Sequence, residues 1–282
     1  MKLRIRYNAL YTYDGPASLS PHLVRIFPRM DLFVSVETTR FTTHPSGDVQ
    51  WRRDLFDNLI ACCFFPQTVE SLPFELALDL EVRERNPFHF LLDSRALQMP
   101  CDYSQEEREI LSAFLDPGPS SFVLPAPLAP RAPRPTVETL VCFIRWFHEN
   151  LEYERREAGD PQTPEVTLQR GKGSCRDFVA LFARSLRRNG MAARLASGFV
   201  WEGDKAEEDR HAESALHAWV EAYLPGAGWV GLDPTNGVFC DHHFVTTAVG
   251  LNHWDISPIT GTYFANDALP STMTTSLDVR KT

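Results

Sequence analysis

The chain has 282 residues, 43% of them apolar and 11% aromatic, which is enough to fill the core of one large domain or two ordinary ones and excludes general disorder. Its net charge is −9, and the short basic runs Arg52-Arg53 and 184–188 read as solvated faces, so no nucleic-acid partner is expected. No stretch approaches the ~20 continuous apolar residues of a membrane span. The start alternates polar and apolar without an apolar signal core, so a cytoplasmic protein with no membrane association is expected.

The first ~90 residues read as strands separated by turns. Leu3-Ile5-Tyr7 alternates, 33–39 is rich in β-formers, and His44-Pro45-Ser46-Gly47-Asp48 is a turn before Val49-Gln50-Trp51. Asp57-Asn58 is a second turn signal, and Phe74 to Val82 alternates over nine residues, as a half-buried strand does. A small β-sandwich over residues 1–90 is the expectation. Residues 91–135 hold one helix start, Ser104-Gln105-Glu106-Glu107, and then a proline-rich run. That run reads as a linker wrapping the surface.

From Thr136 the period becomes helical, with Val137, Leu140, Val141, Ile144, Phe147 and Leu151 on one face. A polar loop from Arg155 to Gln169 leads to Gly171-Lys172-Gly173-Ser174-Cys175, and a second helix runs from Cys175 to Asn189. Strands are expected at 193–201, 217–224, 228–232 and 243–247. Residues 265–282, rich in Thr, Ser and Asp, read as a loose tail.

Six cysteines stand at 62, 63, 101, 142, 175 and 240, with no Cys-x-x-Cys pair. Most are expected to be buried free thiols, Cys142 above all because it lies in an apolar helical stretch. Cys175 differs. A thiol attacks as thiolate, and the unpaired N–H groups and positive dipole end of a helix start favour that anion. Gly171 and Gly173 let the backbone turn tightly into the helix.

Downstream, the segment His217 to Thr235 reads as a hairpin with its turn near 225–228. His217, Trp219, Glu221 and Tyr223 alternate onto one face. A four-residue loop would put Asp233 on the wrong face. A three- or five-residue loop would pair it with Trp219, diagonal to His217 and about 7–8 Å away between β-carbons. Nucleophile, base and orienting acid are then Cys175, His217 and Asp233.

These segments resemble a known family. Gly173-Ser174-Cys175-Arg176-Asp177-Phe178, the stretch 186–194, His217-Ala218-Trp219 and Gly228-Trp229-Val230-Gly231-Leu232-Asp233-Pro234-Thr235-Asn236-Gly237 are similar to bacterial transglutaminase-like proteins over about 136–260. Tyr11-Thr12-Tyr13, residues 20–29 and Asp54-Leu55-Phe56-Asp57-Asn58 resemble the β-sandwich that precedes the family's core. The resemblance implies a papain-like Cys–His–Asp triad on an α+β, transglutaminase-like core of helices packed on an antiparallel sheet over residues 136–264, in a family whose members are mostly described as cysteine proteases or amidases. Two departures stand out. Gly250-Leu251-Asn252-His253-Trp254-Asp255 replaces Gly-Arg-Asp-Tyr, and Phe56-Asp57-Asn58 replaces Phe-Gly-Asn.

The expected chemistry is acyl transfer on a peptide or amide substrate, hydrolysis with water as acceptor. The alternatives are a true transglutaminase using an amine and a non-catalytic module that keeps the fold. Ser174, Trp146, Tyr153 and Trp219 are candidate substrate or oxyanion residues. No metal or cofactor is expected. The rival ligands His211, His217, His242, His243 and Cys240 lack zinc-protease spacing, and His242-His243 on a strand could not face one point. No calcium loop occurs.

Overall fold

A computed structural model describes residues 1–119, 122–130, 133–156, 159–203, 216–265 and 268–282. Alternation shapes its N-terminal part. In β1 (Lys2–Leu19) Leu3, Ile5, Tyr7 and Ala9 are buried while Arg4, Arg6 and Asn8 face out. There follow β2 (His22–Val24), β3 (Val34–Thr43), β4 (Asp48–Arg53), β5 (Leu59–Phe64) and β6 (Val69–Val82). The antiparallel strand β6 lies between β1 and β3, and β5 lies between β2 and β4. The two sheets close over a shared core that includes Ile5, Phe74, Leu78, Val24 and Cys63, so the expected sandwich is present.

In the Phe56-Asp57-Asn58 turn, Asp57 takes φ 62°, the left-handed conformation that glycine adopts freely and aspartate tolerates. Asn58 is fully buried, and its amide donates to the Val249 carbonyl (2.8 Å) and accepts from the Val249 N–H (2.9 Å), tying the sandwich to the later sheet.

The described residues of the segment 91–135 are more ordered than its prolines suggest. β7 (Gln98–Met99) pairs with β8 (Arg134–Pro135), bracketing α1 (Gln105–Ile110) and α2 (Ser112–Leu115). The expected capping box is formed, with Glu107 N–H on Ser104 Oγ and Ser104 N–H on the Glu107 carboxylate. Phe122, Leu124 and Leu128 are buried in the core of the following domain. Proline removes backbone donors but leaves neighbouring apolar side chains free to pin the segment down.

The core begins with α3 (Thr136–Asn150), which buries Leu140, Phe143, Ile144 and Phe147. Cys142 points away from that stripe and is exposed, contrary to expectation. After β9 (Glu152–Tyr153), the supposed polar loop contains α4 (Pro164–Arg170), started by a Thr163 cap and a proline in its first turn. Then come β10 (Lys172–Gly173), α5 (Cys175–Arg188), β11 (Ala193–Val200), β12 (His217–Leu224), β13 (Gly228–Asp233), β14 (Val238–Phe239) and β15 (Phe244–Gly250). The last five strands make one antiparallel sheet in the order β14-β13-β12-β11-β15. Phe178, Leu181 and Phe182 of α5 share a core with Ala218, Val220 and Leu224 of β12. The architecture is α+β, a sandwich followed by helices on an antiparallel sheet.

After the short α6 (His253–Ile256) the chain returns to the sandwich. β16 (Ile259–Thr260) pairs with β2, and β17 (Tyr263–Phe264) pairs with β1. The expected loose tail is instead β18 (Ser271–Lys281), paired with β1 from Leu3↔Lys281 to Tyr13↔Ser271. Met273, Thr275, Leu277 and Val279 alternate with polar residues there, and threonine itself favours a strand. The boundary at 264 therefore gives way to a sandwich built from both ends of the chain. Among the described residues, no helix is long and apolar enough to cross a membrane.

Candidate active site

Helix α5 starts at Cys175 because the chain is bent and capped there. The Asp177 carboxylate accepts from the Ser174 N–H (2.7 Å) and from the Ser174 hydroxyl (2.9 Å). A β-carbon on Gly173 would come within 2.8 Å of Asp177 Cβ, so this close turn requires glycine. Asp177 is fully buried and also accepts from Arg156 (2.7 Å) and the Gln162 N–H (2.6 Å). One carboxylate thus fixes the helix start at Cys175 to the loop in front of it. Ser-x-x-Asp ahead of a helix is a capping signal, and it could have been read from the sequence.

The hairpin brings His217 to Asp233. Leu224↔Gly228 leaves a three-residue loop, and Val220↔Leu232 extends the register so that Asp233 stands opposite Trp219. His217 Nε2 lies 2.9 Å from Asp233 Oδ2. Both residues are buried, at 1% and 0% exposure, so water does not screen the pair. Asp233 also accepts from Asn236 Nδ2 (2.6 Å) and the Thr235 N–H (2.9 Å). These orienting partners were not read from the sequence, although the Asp-Pro-Thr-Asn turn carries them.

Burial favours a neutral imidazole at His217. The charge and hydrogen bond of Asp233, helped by Cys175, outweigh it and hold the pKa of His217 well above its ordinary value. Burial likewise opposes the Asp233 carboxylate, but His217, Asn236 and Thr235 hold its pKa below the ordinary value. Cys175 therefore lies close enough to His217 to influence its protonation. Nδ1 of His217 is buried and makes no hydrogen bond of its own. Nε2 is committed to Asp233, which leaves Nδ1 as the uncommitted ring nitrogen.

Cys175 and His217 open into a cavity of about 250 Å³ between the start of α5 and the sandwich. Tyr7, Tyr11 and Ile259 line it on the sandwich side, together with Met273 and Thr275 of β18. His253 and Ile256 of α6 form another wall, so the Gly250–Asp255 departure reaches the site. Gly198, paired with His217, lets β15 pass close by, since a β-carbon there would lie 2.0 Å from the Val245 carbonyl oxygen.

Of the four further candidates, Tyr153 and Ser174 line this cavity and Trp146 and Trp219 do not. The Ser174 hydroxyl is already committed to Asp177. Burial chiefly, and then the charge of Cys175, push the Tyr153 pKa up, so its hydroxyl stays protonated. Trp146 packs against Phe147, and Trp219 is buried with Ala196, Cys240 and Val249. Trp219 shares the face of His217, but the cavity lies at the start of β12, where His217 and Ala218 reach it and Trp219 does not.

Among the rival ligands, His211 lies outside the described residues. His242 and His243 precede β15 in a turn, so the strand argument against them does not hold, and with Asp241 they bring three donor atoms within 4.8 Å of one another. Asp241 already bonds His243 Nδ1 (2.7 Å), so two of the three donors are committed to each other.

Comparison with known proteins agrees with this geometry. Residues 127–234 match the transglutaminase-like superfamily core, and residues 3–81 match the bacterial transglutaminase-like N-terminal region. An uncharacterized Mycobacterium leprae protein is 23% identical over 99% of this chain and 96% of its own length. An uncharacterized Mycobacterium tuberculosis protein is 34% identical over 52% of this chain and 48% of its own length. A crystal structure described as a "Putative Cysteine Protease" from Cytophaga hutchinsonii superposes with a TM-score of 0.68 at 15% identity, covering 100% of this chain and 91% of that one. The chain belongs to the transglutaminase-like superfamily and carries the bacterial transglutaminase-like N-terminal region.

Proposed function

We propose that the protein hydrolyses amide or peptide bonds through a covalent thioester, with Cys175 as nucleophile, His217 as acid and base, and Asp233 as orienting group. The contact of 2.9 Å between His217 Nε2 and Asp233 Oδ2, behind a cysteine that opens a helix, carries this reading. The superfamily match and the name of the Cytophaga relative support a cysteine-based enzyme.

In the first step Cys175 Sγ forms a bond to the carbonyl carbon. The Cys175 N–H at the start of α5, which has no helical carbonyl to bind, takes up charge on the carbonyl oxygen. Tyr153, protonated and on the cavity wall, is the second donor. His217 gives its proton to the departing amine as the C–N bond breaks. The neutral imidazole then removes a proton from water, which attacks the thioester and releases the acid and the thiolate. Asp233 keeps Nε2 protonated, so Nδ1 does this work.

The test is a panel of peptide, isopeptide and glutamine-amide substrates given to the protein and to Cys175→Ala, with products identified by mass spectrometry. Acid products that vanish in Cys175→Ala support the proposal. Amine adducts in place of acids would assign transfer to an amine acceptor. No turnover, together with a Cys175 no more reactive than a model thiol, would overturn the enzyme reading.

A further inference from the structure

The chain is acidic overall, with 37 Asp and Glu against 28 Lys and Arg. Its candidate active-site cavity has the opposite character. Among the described residues that line it are three arginines, Arg155, Arg156 and Arg176, and no aspartate or glutamate. Asp233 stands behind His217, outside the lining. The three arginines are not equivalent. Arg156 is paired with buried Asp177 at 2.7 Å, so its charge is largely spent on the loop. Arg176, next in sequence to the nucleophile and half-buried, donates only to the carbonyls of Gly159 (3.1 Å) and Arg156 (3.0 Å). Among the described residues it forms no ion pair. A guanidinium held by carbonyls keeps its full charge and a fixed direction.

Neighbouring chemistry agrees. Burial is the main cause that holds the His253 pKa below its ordinary value, against Asp160, and Arg176 adds to it. His253 therefore lines the cavity as a neutral hydrogen-bonding ring beside a cation. The opposite wall, Tyr7, Tyr11, Ile259 and Met273, is aromatic and apolar.

Building on the acyl-transfer reading, we propose that the site selects amide substrates that carry a carboxylate close to the reacting carbonyl, with Arg176 as its main partner and the Tyr7–Tyr11 wall taking an adjoining apolar group. An acidic peptide has this chemistry. The charge is worth most inside a cavity that excludes part of the solvent, and high salt weakens it.

The test needs no known substrate. Cys175 is alkylated in the full chain with iodoacetate and, separately, with iodoacetamide, and the ratio of the two rates is compared with the same ratio for Cys142 in the same samples. Both reagents replace iodide at a CH₂ group, and only iodoacetate carries a carboxylate. The proposal expects the ratio at Cys175 to exceed that at Cys142, to fall about threefold in Arg176→Gln for the loss of one nearby charge, and to stay near the parent value in Arg176→Lys. High salt should reduce it. A ratio equal to that of Cys142, or one unchanged in Arg176→Gln, overturns the proposal. If Arg176→Lys behaves like Arg176→Gln, Arg176 acts through the carbonyls it holds, and the proposed role for its charge is overturned. The iodoacetamide rate alone reports on the nucleophile, so failure of the carboxylate proposal and failure of the acyl-transfer reading give different results.

Discussion

Asp233 stands diagonal to His217 across the β12–β13 hairpin, with its Oδ2 2.9 Å from the imidazole Nε2. That relationship depends on one residue of loop length. An inserted residue in the turn at 225–227 would put Asp233 on the other face of its strand.

The pair has a definite pH signature. His217 has a raised pKa, so its contribution to stability is complete below the ordinary value of 6.5 and is lost as pH rises through the folded value. Asp233 has a lowered pKa, so its contribution is present above 3.8 and is lost as pH falls through the folded value. Asp233→Ala leaves a buried imidazole and the Asn236 and Thr235 donors unpaired, and should cost about 3 kcal/mol between those limits. Urea unfolding across pH checks this: the gap to the parent should be widest in mildly acid solution and narrow on either side.

Asp177 holds together the structure around the start of α5. Asp177→Ala frees Ser174, Arg156 and Gln162 together, and should destabilise by about 2–3 kcal/mol while loosening the start of α5. Hydrogen exchange should show lost protection in residues 159–178, with the sandwich strands unchanged.

Asp57 carries the cost of a left-handed backbone. Asp57→Val should destabilise by about 1–2 kcal/mol, and Asp57→Gly should be neutral or stabilising. Thermal unfolding of the three proteins gives the order Gly at or above Asp, well above Val.

Deleting 271–282 removes β18, uncovers the edge of β1 and takes Met273 and Thr275 out of the cavity wall. The shortened chain should unfold at lower temperature and self-associate through the bared edge. Light scattering on gentle heating checks it.

Much of this was legible because local chemistry and the fold agree. The sandwich strands and α5 follow their apolar periods, and the Ser104–Glu107 box needs only its own four residues. The errors lie where composition hides a pattern. The threonines of β18 look like a tail unless Met273, Leu277 and Val279 are read at period two. Helix α4 is polar but for Val166 and Leu168, and only its Thr163-Pro164 start betrays it. Cys142 lies in an apolar stretch, yet helical geometry turns it outward between Phe143 and Val141. The cavity wall was beyond the sequence, because Tyr7, Met273 and Arg176 meet only after both ends of the chain have closed the sandwich.

The proposed activation of Cys175 by His217 is tested by the rate of alkylation by iodoacetamide at about pH 6, where an ordinary thiol is almost fully protonated. Cys142, exposed on α3, is the internal reference. Cys175 should react at least about tenfold faster than Cys142, with that advantage lost in His217→Ala. A Cys175 that reacts no faster than Cys142, or equally fast without His217, would contradict the account.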